Sequence, residues 1–217
     1  MIGLQWQDRV AVLRMDEGEN RFNRDSVDAL HAALDEVAAV DGPVALVTTG
    51  SGKYYSNGLD LDWLAGAGDD AHGFIDDVHR LLGRVLGFPA FTVAAVNGHA
   101  FAGGAMLATA HDHLVLRTDR GFWCLPEVDL GLPLTDAMFA VLAARLPRAT
   151  LRDAALTGRR YAGPDALAAG IVDAVAAEEE VVDRAVAWAA GLVDKNRHVI
   201  AAHKRLLYGD ALRTCGV

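Results

Sequence analysis

The stretch "AAVNGHAFAGGAMLATAHD", residues 94–112, decides the predicted fold because it combines a strand, a turn and the start of a helix. It begins within the short apolar run "TVAAV", which is typical of a buried strand, and an Asn-Gly turn follows at 97–98. A glycine pair at 103–104 then stands where a helix begins, and we expect residues 103–110 to be helical. A buried strand that passes through a glycine-rich turn into a helix indicates an α/β fold.

Outward from this stretch, strands and helices alternate. The runs "VALVTT" and "HLVLRT", residues 44–49 and 113–118, predict two further buried strands. Apolar residues at spacings of three and four predict amphipathic helices over 25–40 and 69–86. The segments "GLQWQ" and "RVAVLRM" flank Asp8 and predict a β-hairpin at the start of the chain.

Helices collect in the last part of the chain. The chain is predicted to form one α/β domain over 1–217, with a layered core over 1–145 and a helical C-terminal region over 146–217. The late helices are predicted over 135–145, 148–157, 164–169, 178–194 and 197–212, with "GIVDAV" between them.

Composition and charge exclude some classes of function. The 217 residues are 52% hydrophobic and 23% charged, which is usual for a globular protein. A net charge of −9 disfavours binding to a nucleic-acid backbone, although it leaves room for a local basic pocket for one phosphorylated ligand.

The cysteines and the lengths of the apolar runs indicate the cellular compartment in which the protein is expected. Cys124 and Cys215 form no paired framework, which favours a reducing, cytoplasmic setting. The first residues do not resemble a signal peptide, and no apolar run approaches the length of a membrane span. We therefore expect a cytoplasmic protein without a membrane span.

Two glycine loops are candidates for ligand binding. "SNGLD" at 56–60 and "AFAGGAM" at 100–106 each follow a buried strand, which is where open α/β folds bind ligands. Backbone N–H groups at a helix start are unpaired, and glycine lets a ligand approach them closely. One N–H from each loop would form an oxyanion hole. The alternative is that both loops are simply tight turns.

The segment "CLPEVDLGLPL", residues 124–134, places Glu127 among apolar residues and glycine. A buried carboxylate without a partner is costly, so its position requires an explanation. Glu127 is either a catalytic base or part of a capped turn, and Asp129 is a possible second acid.

Taken together, "AAVNGHAFAGGAMLATAHD", "FWCLPEVDLGLPL" and "LTGRRYAGPDALAAGIVD" resemble the crotonase family, also called the enoyl-CoA hydratase/isomerase superfamily. "GKYYSNGLDLDWL" is most similar to the monofunctional enoyl-CoA isomerase branch. The resemblance implies a crotonase-like spiral of β-β-α units whose C-terminal helices build a homotrimer or a dimer of trimers. It also implies an acyl-CoA thioester substrate and no metal or redox cofactor.

The resemblance also implies roles for individual residues. The oxyanion hole maps to the backbone N–H groups of Leu59 and Gly103, and one of the two catalytic glutamates of the hydratases maps to Glu127. The other glutamate maps to Met106, which cannot transfer a proton. The residues expected to bind substrate are Arg21, Asn23, Ser56, Asn57, Gly58, Asp60 and Gly104.

One acid favours double-bond migration over hydration, because hydration has to activate a water and donate a proton. The sequence therefore predicts isomerisation of 3-enoyl-CoA to 2-enoyl-CoA by Glu127. The alternatives are an enoyl-CoA hydratase and a non-catalytic CoA-binding homologue.

Three further features have open alternatives. "HDH" at 111–113 is either part of a metal site or a strand edge with a structural Asp112. Asp60 is also a candidate cap for a short helix, and Asp62 stands where some relatives have a basic CoA contact. The basic segment "AHKRLLYG", residues 202–209, is either a contact for a CoA phosphate or a solvated helix face.

Overall fold

Two sheets form the framework of the protein, which a computed structural model describes over residues 1–217. The strands are β1 Ile2–Gln7, β2 Val10–Met15, β3 Ala45–Gly50, β4 Tyr54–Ser56, β5 Phe91–Val96, β6 His99–Phe101, β7 His113–Arg117, β8 Trp123–Cys124 and β9 Ala174–Ala176. The main sheet has six strands in the order β1-β2-β3-β5-β7-β9, and the small sheet has three in the order β4-β6-β8. Only the β1–β2 pair is antiparallel.

The connections between the sheets produce a spiral. Strands β3, β5 and β7 of the main sheet are each followed by one short strand of the small sheet and then by helix. The helices are α1 Arg24–Ala38, α2 Leu61–Gly66, α3 Asp70–Leu86, α4 Gly103–Thr109, α5 Glu127–Leu130, α6 Asp136–Arg145, α7 Arg148–Thr157, α8 Gly163–Ala168, α9 Val181–Leu192 and α10 Arg197–Thr214. The predicted α/β spiral of β-β-α units is therefore confirmed.

Apolar side chains cover both faces of the main sheet. Leu13 and Leu46 belong to the large core under the helices α1, α3, α4 and α6. Val12 and Val47 point to the opposite face and pack in a smaller cluster under α9. Because parallel strands covered on both faces need apolar residues at every position, these strands are continuous apolar runs in the sequence.

The structure corrects the prediction at its shortest elements. The short strand β4, which ends at Ser56 in the first glycine loop, was not predicted, and "GIVDAV" leads into β9. The helix predicted over 178–194 is divided into a 3₁₀ turn at Glu178–Glu180 and α9. The region 146–217 is therefore not purely helical, because β9 pairs with β7 as the last strand of the main sheet.

A buried ion pair attaches α10 to the sheet. Lys204 is only 4% exposed, and its Nζ lies 2.7 Å from Oδ2 of Asp112. The ammonium also donates to the carbonyl oxygen of Ala90 at 3.0 Å. Neither alternative predicted for the segment 202–209 holds for Lys204, since its charge is buried and already paired.

Candidate active site

A cavity of about 610 Å³ lies beyond the carboxyl ends of the small-sheet strands, between these and helices α2, α3, α5 and α6. Its wall is mostly apolar. Among the predicted site residues, those that line it are Arg21, Asn57, Leu59, Gly103 and Glu127. The position that would hold a second glutamate, Met106, also lies in the wall.

The first glycine loop is held against the second by close backbone contact. Gly58 has φ of +77°, and a Cβ atom there would lie 2.7 Å from the nitrogen of Gly103. The hydroxyl of Ser56 accepts from the N–H of Gly58 at 3.1 Å and donates to the carbonyl of Asn20 at 2.7 Å. Ser56 and Gly58 therefore shape the loop and do not line the cavity.

The second loop contains a strained residue. Ala102 has φ of +50° and ψ of −124°, a backbone conformation that is unfavourable for any residue with a Cβ atom, including alanine. Its N–H donates to the carbonyl of Cys124 at 3.1 Å, which ties the loop to β8. A Cβ atom on Gly104 would lie 2.2 Å from the carbonyl oxygen of Ser56, so only glycine permits this packing of α4 on β4.

The two predicted oxyanion donors in the cavity wall have no acceptor within the protein. These are the amides of Leu59 and Gly103, whereas the neighbouring amides of Gly58 and Asp60 both donate to protein oxygens. Gly103 starts α4, and the first amides of a helix lack intrahelical acceptors. The two free donors come from loops in contact and are suited to bind one oxygen atom that carries negative charge.

Glu127 supplies the buried carboxyl group of the cavity. It is the first residue of α5, directly after Pro126, and its Oε2 is buried without a hydrogen-bond partner. Burial raises the pKa of Glu127 above its ordinary value, and its own backbone N–H partly opposes this. A carboxyl with a raised pKa and one oxygen free of hydrogen bonds can both accept and return a proton.

A partly exposed charged network contributes to the cavity wall. Arg21 Nε donates to Glu19 Oε2 at 2.8 Å, and Asn57 Nδ2 donates to the same oxygen at 2.9 Å. A second nitrogen of Arg21 lies 3.5 Å from Asp62 Oδ2, whose side chain is 96% exposed. Arg21 and Asn57 therefore place a polar rim beside the apolar interior.

Two of the predicted substrate-binding residues cap helices. The side chain of Asn23 accepts from the N–H of Ser26 at 3.0 Å and thereby caps the start of α1. The side chain of Asp60 accepts from the N–H of Trp63 at 3.2 Å and caps the start of α2. The predicted helix cap at Asp60 is therefore confirmed. Neither residue lines the cavity, because each is oriented by the helix that it caps.

The sequence did not indicate one polar pair at the cavity. Thr135 lines the cavity, and its hydroxyl lies 2.9 Å from Nε2 of His79. Thr135 is the first residue of the helix predicted over 135–145, and threonine is a residue type that caps helices, which was the available signal. Nothing in the sequence connects it with His79, which belongs to α3.

The remaining acids and histidines lie elsewhere. The imidazole of His111 is buried in the core at 2.9 Å from Thr48 Oγ1, whereas His113 stacks on Trp188 at the opposite face, with ring centroids 3.6 Å apart. No group of three or more His, Cys, Asp and Glu side chains could hold a metal ion. The carboxylate of Asp129 lies beside Gly158, outside the cavity.

The chain is similar to curated enoyl-CoA isomerases. It is 37% identical to enoyl-CoA delta isomerase 3 of Arabidopsis thaliana, over 91% of this chain and 87% of that protein. It is 34% identical to the peroxisomal enoyl-CoA delta isomerase 2 of the same plant, over 93% and 88%. No helix of the protein has the length and apolar character needed to cross a membrane.

Solved structures described as an enoyl-CoA hydratase and an enoyl-CoA isomerase are also similar to the chain. A structure from Mycobacterium tuberculosis H37Rv described as a probable enoyl-CoA hydratase matches with a TM-score of 0.92 and 33% identity, over 99% of this chain and 91% of that one. An apo enoyl-CoA isomerase from the same species matches with a TM-score of 0.91 and 33% identity, over 99% and 94%. Residues 5–213 match the family model for enoyl-CoA hydratase/isomerase. The chain therefore belongs to the enoyl-CoA hydratase/isomerase family.

Proposed function

We propose that the protein isomerises 3-enoyl-CoA thioesters to 2-enoyl-CoA thioesters, with Glu127 as its single acid–base group. The observation that carries the proposal is the solitary buried carboxyl of Glu127 in a cavity where Met106 occupies the position of a second acid. The similarity to enoyl-CoA delta isomerases at 37% and 34% identity supports the same reaction.

The proposed reaction moves one proton. The carboxylate of Glu127 removes a proton from C2 of the substrate, and the electrons of that bond form the dienolate, whose negative charge is largely on the thioester oxygen. The carboxylic acid then returns the proton to C4, and the electrons shift back to form the C2–C3 double bond. Glu127 ends as the carboxylate, and no atom is gained or lost.

The free amides of Leu59 and Gly103 are proposed to stabilise the dienolate. Both lack protein acceptors, so they can donate to the thioester oxygen without breaking a hydrogen bond. Such donors act most strongly in an apolar cavity from which water is excluded. They bind the oxygen more strongly as its charge develops, and this lowers the barrier.

The acids at the cavity favour isomerisation over hydration. Besides Glu127, the one carboxyl side chain in the wall is that of Asp62, which is exposed and lies beside Arg21. Hydration would have to activate a water and donate a proton at the same time, and one buried carboxyl is poorly suited to both. An apolar wall also limits the entry of competing water.

The binding of the CoA part is proposed to use the polar rim. Arg21 and Asn57 line the cavity and are held in place by Glu19. A guanidinium and an amide in fixed positions are suited to the phosphate and amide groups of an extended acyl-CoA. The proposed chemistry needs no further cofactor, because the glutamate and the two amides perform each step.

A homotrimer or a dimer of trimers is proposed for the assembly. On α10, Leu206 is 84% exposed and Leu207 is 70% exposed, and the neighbouring Phe139 of α6 is 51% exposed. Large apolar side chains grouped on one surface favour burial against another protein surface. Light scattering coupled to gel filtration tests this, with a monomer as the contradicting result.

A reducing compartment such as the cytoplasm is proposed for the protein. Cys124 and Cys215 are both buried and unpaired, as expected where thiols stay reduced. Localisation of a tagged full-length protein tests this proposal.

A paired assay tests the proposed reaction. Purified protein receives 3-hexenoyl-CoA or 2-hexenoyl-CoA, and the products are separated and identified by mass. We expect 2-hexenoyl-CoA from the first substrate without 3-hydroxyhexanoyl-CoA from either. The Glu127→Gln variant should lose this conversion, whereas Glu36→Gln, at an exposed glutamate of α1, should keep it.

Two outcomes would contradict the proposal. Substantial 3-hydroxyhexanoyl-CoA would identify a hydratase in which another group replaces the acid missing at Met106. Binding of CoA thioesters without any turnover of 3-enoyl substrates would identify a non-catalytic binding protein.

A further inference from the structure

Thr135 is the single residue with a hydroxyl side chain in the cavity wall. It caps the start of α6 and lies outside the charged network around Arg21. The same wall contains Ile75 of α3 and Met138 of α6, which are apolar. A lone hydroxyl in an apolar wall is a specific point at which a ligand can form a hydrogen bond.

The hydroxyl of Thr135 is not saturated by its protein partners. Its oxygen accepts from the N–H of Met138 at 3.3 Å and lies 2.9 Å from Nε2 of His79. A hydroxyl has one donor and two acceptor sites, so these two contacts leave one hydrogen-bonding site unused.

His79 determines which kind of site remains. Burial lowers the pKa of His79 below its ordinary value, and Asp76, 3.9 Å from Nδ1, partly opposes this. The neutral ring carries one proton. With that proton on Nε2, Thr135 accepts it and keeps its own O–H free. With the proton on Nδ1, Thr135 donates to Nε2 and keeps a lone pair free.

The pair can therefore offer either a donor or an acceptor to a ligand. A hydroxyl group on the ligand can form a hydrogen bond in either case, because it is itself both a donor and an acceptor. A purely aliphatic chain has no group that can form this hydrogen bond. The Thr135–His79 pair should therefore bind acyl chains with a hydroxyl group more tightly than plain aliphatic chains.

We infer that Thr135, supported by His79, is a specificity residue that favours acyl-CoA thioesters with a hydroxyl group on the acyl tail. This inference rests on the proposed function, since it assigns the acyl tail to this cavity. His79 acts through Thr135 and is a positioning residue, because it does not itself line the cavity.

Calorimetric titration of the full-length protein tests the inference without requiring turnover. The ligands are hexanoyl-, octanoyl- and decanoyl-CoA and their counterparts with a hydroxyl on the terminal carbon. We expect one of the hydroxylated chains to bind about tenfold more tightly than its plain counterpart, as one additional hydrogen bond in an apolar site provides. Thr135→Val should abolish this preference, and Thr135→Ser, which keeps the hydroxyl and the helix cap, should retain it.

The role of His79 is tested by a second pair of variants. His79→Gln keeps a donor and an acceptor and should retain most of the preference, whereas His79→Leu should reduce it. Thr214→Val and His72→Gln, at exposed positions, are matched controls that should change no affinity. Thermal melting of each variant shows whether the protein is folded.

Three results would overturn the inference. These are equal binding of plain and hydroxylated chains at all three lengths, a preference that persists in Thr135→Val, and a preference that is lost in Thr135→Ser although the variant is folded. Normal binding of plain acyl-CoA in these experiments leaves the proposed isomerase intact. Failure of every thioester to bind would contradict both proposals.

Discussion

Asp112 and Glu127 are both shielded from solvent, yet their surroundings differ completely. Oδ2 of Asp112 accepts from the N–H and the hydroxyl of Thr92 at 2.8 and 3.0 Å and lies 2.7 Å from Nζ of Lys204. Oε2 of Glu127 has no partner. A carboxylate with three donors stabilises the packing of α10 on the sheet, whereas a carboxylate oxygen without a donor is free to accept a proton.

The same contrast extends to the backbone around each acid. The amide of Asp112 donates to Thr92 and its carbonyl accepts from Arg145. Near Glu127, the amides of Leu59 and Gly103 have no protein acceptor. Buried polar groups are normally satisfied, so these unsatisfied groups in one cavity support the proposal that a ligand completes their hydrogen bonds there.

The largest effect is expected from removing the reactive acid. Glu127→Gln keeps the shape of the side chain but cannot carry a proton, so turnover of 3-hexenoyl-CoA should fall by about a thousandfold or more. Stability should not fall, because the variant removes an unpartnered carboxyl. Steady-state kinetics and thermal melting measure both quantities. Turnover above one tenth of wild type would show that another group moves the proton.

Breaking the structural ion pair should have the opposite effect. Lys204→Met leaves the carboxylate of Asp112 buried beside Thr92 without its cation, and the free energy of unfolding should fall by about 3 kcal/mol. Urea denaturation measures this, and turnover per folded molecule should be nearly unchanged. Arg205→Met, at the exposed neighbouring position, is the control and should leave stability within about 0.5 kcal/mol of wild type.

A smaller loss of activity is expected when the two loops are forced apart. The additional methyl group in Gly58→Ala would lie 2.7 Å from the nitrogen of Gly103, and φ is +77° at this position. The displaced amides should lower kcat by about a hundredfold, as expected for the loss of one oxyanion donor. Gly66→Ala in α2 has open space around the added methyl group and serves as control. Unchanged kcat in Gly58→Ala would exclude these amides from catalysis.

The smallest effect is expected in the dependence of stability on pH. Because the fold raises the pKa of Glu127, the folded state favours the neutral acid. This contribution is fully present below the unfolded pKa and is lost as pH rises through the folded pKa. Glu127→Gln should thus be slightly more stable than wild type at pH 8, with the difference shrinking towards pH 4. A constant difference across that range would contradict the raised pKa.

The same pKa governs the rate. The proposed base acts as the carboxylate, so kcat/KM should fall as pH decreases through a value above the ordinary 4.5 of glutamate. A pH–rate profile with 3-hexenoyl-CoA measures it. A rate that stays constant down to pH 4.5 would show that Glu127 does not titrate above its ordinary value.

The long elements were predictable because burial imposes a period on them. The apolar runs of β3 and β5 and the spacing of three and four in α1 and α3 each extend over enough residues to be distinguished from chance. By contrast, β8 and α5 contain too few residues to show a period. Their conformations depend on contacts with segments that are distant in the sequence.

The candidate site also contains residues that local motifs reveal and residues that only the folded structure reveals. Glu127, Leu59 and Gly103 could be selected because each belongs to a local motif, and the fold brings all three to one cavity. Asn23 caps α1, and an asparagine just before a predicted helix is a local signal for that role. The Thr135–His79 pair joins α6 to α3 across the fold, so the sequence contains no local signal for it.

The most direct test of a single-base reaction follows one hydrogen atom. 3-Hexenoyl-CoA deuterated at C2 is mixed with excess enzyme for a single turnover, and the position of deuterium in 2-hexenoyl-CoA is read by NMR and mass spectrometry. A single Glu127 in a dry cavity predicts that part of the deuterium removed from C2 appears at C4. A product whose new C4 hydrogen comes entirely from solvent, or whose deuterium transfer survives in Glu127→Gln, would contradict Glu127 as the sole carrier of the proton.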